Sequence, residues 1–328
     1  MSDSDIDSAN FAARVLEPFL NEDEAKFGLD DVAKLSGLDQ KTLRDIWRAL
    51  GFPDPRPGEQ LFTSDDIEIL VSIVGLIADG SIDVENARQF ARVLGSSIDR
   101  IAAAQIDAWL RTAAEGFDEV DLEQSQQISE LLPHIINLIF RRRLVTEARR
   151  RLLRASEDSS DQICVGFADL VEFTTQALRL ESDALNEVVS RFESIAFDVV
   201  SRFGGRVVKT IGDEVMFVHD DPVQACRLAL ELAQQYRQDD SLSDVRVGLA
   251  YGTVLERDGD VYGHTVNLAS RVVSVAFPGS VVISDELKDI AQSRGEFQVS
   301  PIPTHFLKGI GEVSLWRLRA RQAVTTPA

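Results

Sequence analysis

Two hydrophobic periods alternate through the second half of the chain, and this alternation restricts it to a mixed α+β fold. Residues 163–168 form a run without charge, the pattern of a buried strand. Leu185, Val188, Val189, Phe192, Ile195, Ala196, Val199 and Val200 then recur at helical spacing, and Gly204-Gly205 stops that helix. Residues 206–210 and 215–218 read as a hairpin turned at Ile211-Gly212-Asp213, residues 222–235 as a helix and residues 245–251 as a further strand. The order βαββαβ is the ferredoxin-like pattern.

The first half lacks this alternation and reads as helical. A chain of 328 residues suits two domains, each large enough for its own core. The expected division is an all-helical domain over 1–132, a long basic linker helix over 133–160 and the α+β domain over 161–328. Between Leu29 and Trp47 two short amphipathic segments are broken by Gly37, a helix-turn-helix pattern. A turn-rich stretch, Gly51-Phe-Pro-Asp-Pro-Arg-Pro-Gly58, precedes a third helix that Thr63 or Ser64 would cap, with an acidic first turn behind it. Residues 131–154 predict one long helix with Pro133 in its first turn, and Glu157-Asp-Ser-Ser-Asp161 reads as a short linker.

Charge narrows the partners. The net charge is −20, distributed as −16 over residues 1–140, +4 over 141–160 and −8 over 161–328. An acidic surface repels DNA phosphates and anionic lipid, so neither nucleic acid nor a membrane is an expected partner. No apolar run approaches the ~18 residues of a membrane span, and the polar, acidic start is not a signal peptide. Cys164 and Cys226 sit in apolar segments without a CxxC pattern. They are expected to be reduced core residues of a cytoplasmic protein.

Three strings bring together the residue types of nucleotide chemistry: Phe167-Ala-Asp169-Leu-Val-Glu-Phe173-Thr174, Lys209-Thr-Ile-Gly-Asp213-Glu, and Asp260-Val-Tyr-Gly-His-Thr-Val-Asn267-Leu-Ala-Ser-Arg271. Attack on a phosphate of a nucleoside triphosphate needs an activated hydroxyl and neutralisation of several negative charges. Hard divalent cations address both needs and call for carboxylate oxygens. A lysine is a pure donor and an aspartate a pure acceptor, so together they can tell adenine, with its N1 acceptor and N6 donor, from guanine, which presents the opposite pattern there. An amide and a guanidinium four residues apart share one helix face.

In this order the strings resemble the catalytic domain of the class III nucleotidyl cyclases, over roughly residues 160–320. The resemblance implies the following roles. Asp169 and Asp213, with the backbone carbonyl of Leu170, would hold two divalent cations per active site, Mg²⁺ or Mn²⁺. Lys209 and Asp260 would select adenine, because guanylyl cyclases place an acid where Lys209 stands. Asn267 would orient the ribose, and Arg271 would neutralise charge developing on the α-phosphate. Lys308, in Phe306-Leu-Lys-Gly-Ile-Gly311, would reach the terminal phosphates, and Phe173 and Thr174 belong to the turn beside them. The expected activity is that of an adenylate cyclase.

In this family one catalytic domain supplies the metal aspartates and its neighbour the remaining groups, so a homodimer is implied. The first half resembles both MerR-type DNA-binding heads and the all-helical regulatory domains of some soluble bacterial class III cyclases. Its acidity favours regulation, and the resembling domains suggest a response to pH, with His134 as a titratable residue ahead of the arginines. The alternative is a MerR-like transcription regulator carrying a catalytically weak, nucleotide-binding cyclase domain. One position departs from the family: Glu172 stands where glycine is usual.

Overall fold

A computed structural model describes residues 14–15, 25–114, 119–156 and 162–321; the expected linker at 157–161 lies outside them. The chain divides into two compact units, residues 1–146 and 147–328.

Unit one is helical. Helix α1 (Leu29–Ser36) ends at Gly37, whose φ of 76° is the left-handed cap that a side chain would resist. Asp39 then caps α2 (Gln40–Ala49) by accepting from the Thr42 amide. Thr63 caps α3 (Ser64–Ala78) in a reciprocal box with Asp66, as the sequence suggests. Leu29, Val32, Leu43, Phe62, Ile67 and Val74 close the small core of these helices. Helix α4 (Val84–Ala114) follows. Helix α5 (Glu119–Ser156) begins well before the expected start at residue 131, which places Pro133 in its interior rather than its first turn. The carbonyl that Pro133 leaves without an amide partner is one local interruption, and the rest of the helix is long enough to absorb it. Phe90, Leu94, Ile98, Ile135, Leu138 and Phe140 on α4 and α5 are exposed, as is His134.

Unit two is built on a seven-stranded sheet. Its elements are β1 (Gln162–Leu170), α6 (Phe173–Ala177), α7 (Ser182–Arg202), β2 (Arg206–Ile211), β3 (Glu214–His219), α8 (Pro222–Gln238), β4 (Val245–Thr253), β5 (Leu255–Arg257), β6 (Asp260–Tyr262), α9 (His264–Val275), β7 (Val281–Ser284), α10 (Asp285–Ser293), β8 (Phe297–Pro301), β9 (His305–Leu307), β10 (Gly311–Val313) and β11 (Leu315–Ala320). The sheet order is β2-β3-β1-β4-β7-β11-β8, so the first four strands have the ferredoxin-like arrangement. Strands β1 to β4 pair antiparallel, and β7 joins β4 in parallel.

Strand β1 is covered on both faces, which is why its residues are apolar almost without alternation. Cys164, Ala168 and Leu170 pack with Phe192, Val199, Leu228 and Tyr236 of α7 and α8. Ile163, Val165 and Phe167 pack with Leu268, Ala269, Val272 and Val273 of α9. Helix α9 lies directly on β4: a Cβ added at Gly248 would fall 2.3 Å from the Val273 nitrogen, so only glycine permits this approach. Among the described residues no helix is long and apolar enough to cross a membrane.

Candidate active site

The end of β1 carries the acids. Asp169 is the Cα partner of Glu214 in β3, and the Leu170 amide donates to the carbonyl of Asp213 at 3.1 Å. The two-residue turn Gly212-Asp213, with Gly212 at φ 63°, therefore holds Asp213 against the last residues of β1. Asp169 is half-buried, and burial followed by the charge of Asp213 raises its pKa, while Arg246 opposes the rise. Glu214 is pushed up to about 7 by burial and then by the charges of Asp169 and Asp213. Three carboxylates gathered at the end of β1, two of them raised by burial and by neighbouring negative charge, make a negative focus that a cation would relieve. Among the described residues no set of three or more His, Cys, Asp or Glu side chains forms a complete metal cage. A magnesium-type ion does not need one, since one or two carboxylates, water and substrate phosphates complete its shell. The donors present fit such an ion.

Glu214 and Arg246 were not singled out from the sequence. Glu214 directly follows Asp213, and that adjacency was a usable signal. Arg246, 3.7 Å from Asp169, had none, because the pairing of β4 with β1 is invisible in a single sequence. The raised Glu214 pKa also has a stability consequence. The folded protein binds that proton more tightly than the unfolded chain does. The resulting stabilisation is complete below the ordinary value of 4.5 and is lost as pH rises through about 7. Without added metal, Glu214→Gln is expected to flatten the fall in melting temperature across that window. An unchanged slope would show that the carboxyl titrates normally.

Lys209 and Asp260 meet directly, with Nζ 2.6 Å from Oδ2. The Asp260 Oδ1 also accepts from the Val261 amide at 2.8 Å. Burial works against the charged form of Asp260, but the hydrogen bond from Lys209, the Val261 amide, the Lys209 charge and a hydrogen bond from Tyr262 together outweigh it and hold the carboxyl below its ordinary range. Asn267 and Arg271 are exposed on α9, one turn apart. Lys308 is exposed in the turn between β9 and β10. Phe173 begins α6 and is partly buried against the core; the side chain of Thr174 lies outside the described residues.

These groups fall at two places in one chain. The Thr265 hydroxyl donates to the Thr253 carbonyl at 2.8 Å, which sets the start of α9 over the far end of β4. There Gly252 pairs with Ile163, whereas Asp169 pairs with Arg246. At ~3.3 Å per residue those two positions are about 20 Å apart along β1. Asn267, in the first turn of α9, therefore stands toward the opposite end of the strand from the acids.

Glu172, exposed in the turn after β1, has φ 61°. This left-handed conformation costs a non-glycine residue about 1 kcal/mol. Glycine would remove that strain but would add unfolded-state entropy of similar size. Glu172→Gly is expected to leave stability within about 1 kcal/mol and KM for a nucleotide triphosphate unchanged or lower, since a carboxylate leaves the turn. A clear rise in KM, measured beside a melting curve, would show that the carboxylate aids binding.

Residues 155–320 match the family described as the adenylate and guanylate cyclase catalytic domain. An adenylate cyclase of Glutamicibacter nicotianae is 31% identical over 328 residues, covering 93% of this chain and 81% of the relative. An adenylate cyclase of Streptomyces coelicolor is 36% identical over 269 residues, covering 79% of this chain and 70% of the relative. A pH-sensitive adenylate cyclase of Mycobacterium tuberculosis (strain CDC 1551 / Oshkosh) is 30% identical over 319 residues, covering 88% and 77%. Together with the sheet order and the three strings, these matches establish that the chain belongs to the class III nucleotidyl cyclases.

Proposed function

We propose that the protein is an adenylate cyclase converting ATP to 3′,5′-cyclic AMP and pyrophosphate at two equivalent sites, each completed by a second copy of the chain. The observation that carries the reading is the Lys209–Asp260 pair. Its ammonium can donate to adenine N1 and its carboxylate can accept from the exocyclic amine, and guanine presents the opposite pattern. The curated relatives above are adenylate cyclases, which supports the same choice.

In this reading the ribose 3′-oxygen attacks the α-phosphorus, and the bond from that phosphorus to the bridging oxygen of pyrophosphate breaks. Asp169 and Asp213, with the Leu170 carbonyl, would hold two divalent cations, Mg²⁺ or Mn²⁺, which supply charge neutralisation and acidify the attacking hydroxyl. Asn267 orients the ribose, and Arg271 meets the charge that grows on the α-phosphate oxygens. Lys308 and the start of α6 at Phe173-Thr174 hold the terminal phosphates.

Sharing between two copies is supported by the separation of Asn267 from Asp169 along β1, and by the exposed apolar side chains of α4 and α5. The first unit is read as a regulatory domain of a cytoplasmic enzyme, with pH as its candidate signal. Overlapping pH–activity profiles for chains with and without that unit would remove pH from its role.

The direct test is product formation by the purified full chain given ATP and Mn²⁺, with GTP in parallel. Cyclic AMP is the expected product, with GTP turned over far more slowly. No cyclic product, or equal turnover of both nucleotides, would overturn the proposal.

A further inference from the structure

The Lys209–Asp260 pair does not stand alone. Asp260 follows a two-residue turn, Asp258-Gly259, with φ 57° and 83°, that joins β5 to β6. Arg206 Nη1 donates to the Gly259 carbonyl at 2.6 Å, one residue ahead of Asp260. A register shift between Val207 and Lys209 interrupts the alternation of β2. Arg206 and Lys209, three positions apart, therefore both reach this hairpin. Glu256 of β5 lies 3.6 Å from Arg206 Nη2. It also accepts a two-pronged contact from Arg150, at 2.5 and 3.2 Å. Arg150 belongs to the last turns of α5, where Glu147 holds it at 2.9 and 3.0 Å and Asp220 lies 3.7 Å away. The Arg150 and Glu256 side chains are only 19% and 16% exposed, so this is a partly desolvated cluster rather than a surface pair.

We propose that Arg150, Glu256 and Arg206 are positioning residues that fix the β5–β6 turn, and through it Asp260, for recognition of the purine base. None of the three touches substrate in this account. It rests on the reading that Asp260 recognises adenine. It adds that the end of α5 contributes to nucleotide choice, and the sequence string around Asp260 gives no hint of that. A guanidinium fork on a carboxylate transmits direction as well as charge, so the fixed element is the angle of the turn. Loss of the clamp lets Asp260 drift, which weakens ground-state and transition-state binding of adenine alike and should spare the chemical step.

The experiment compares Glu256→Gln, Arg206→Lys and Arg150→Gln with the unaltered full chain, each checked by a melting curve. For each, kcat and KM are measured with ATP and with GTP. The expected result for Glu256→Gln is a rise of about tenfold in KM for ATP, kcat within about threefold, and a fall of similar size in ATP-over-GTP preference. Arg150→Gln should shift the same quantities in the same direction by less, because Arg206 still meets Glu256. Arg206→Lys, which keeps a donor, should retain more preference than Arg206→Ala, measured beside it. A general loss of kcat for both nucleotides with preference unchanged would overturn the proposal, as would variants kinetically identical to the parent. Asp260→Asn separates the two levels of the argument. If it alters preference and the three cluster variants do not, only the positioning role fails. If Asp260→Asn leaves preference untouched, base recognition by Asp260 fails and the positioning role fails with it.

Discussion

Replacing Arg271 with alanine is expected to lower kcat by about 10²–10³-fold while changing KM for ATP by no more than about threefold. The split follows from the role proposed for the guanidinium. Charge on the α-phosphate oxygens grows as the 3′-oxygen approaches, so a fixed cation there binds the transition state better than the substrate. Arg271 is exposed on α9, one turn beyond Asn267, and its helix is anchored to β4 by the close approach at Gly248. Truncation should therefore remove the charge without disturbing the fold. A steady-state comparison with a melting curve checks this. A rise in KM with kcat intact would assign Arg271 to substrate binding instead.

Mixing an Asp169→Ala chain with an Arg271→Ala chain, each nearly inactive alone, is expected to restore about a quarter of the parental activity. If chains assort at random, half of the dimers are mixed. In a mixed dimer one site combines both defects, and the other receives Asp169 from one chain and Arg271 from its partner, both intact. One working site of two, in half of the dimers, gives the quarter. The structure favours this outcome because the acids and Asn267 stand toward opposite ends of β1 within one chain. The assay is cyclic AMP formation after co-refolding or co-expression, with each variant alone as control. Activity that never exceeds the sum of the two single variants would place the site within one chain.

Much of this arrangement is legible in the amino-acid order because it is local. The capping of α3 by Thr63, the left-handed stop at Gly37 and the Gly212-Asp213 turn are decided within a few residues, and each appears where the sequence puts it. The βαββαβ order is likewise written in period and punctuation. The start of α5 is not, since its exposed apolar positions give no clear face. Glu256 and Arg206 are further apart still in legibility. They are ordinary charged residues in sequence, and only the bulge in β2 and the fold of the β5–β6 hairpin bring them to Arg150 and Gly259. The motif residues, from Asp169 to Arg271, are proposed from their types, which suit the chemistry of a nucleotide rather than the needs of the fold.

Both cysteines of the chain are buried and unpaired, Cys164 within β1 and Cys226 within α8. Burial raises both thiols, Cys226 to about 12, so neither offers a thiolate at neutral pH. Peroxide, glutathione disulfide and thiol-alkylating reagents should find no reactive thiol while the fold is intact. An oxidative burst that silences enzymes with accessible thiols would leave this one running, and alkylation would then report unfolding rather than inhibition.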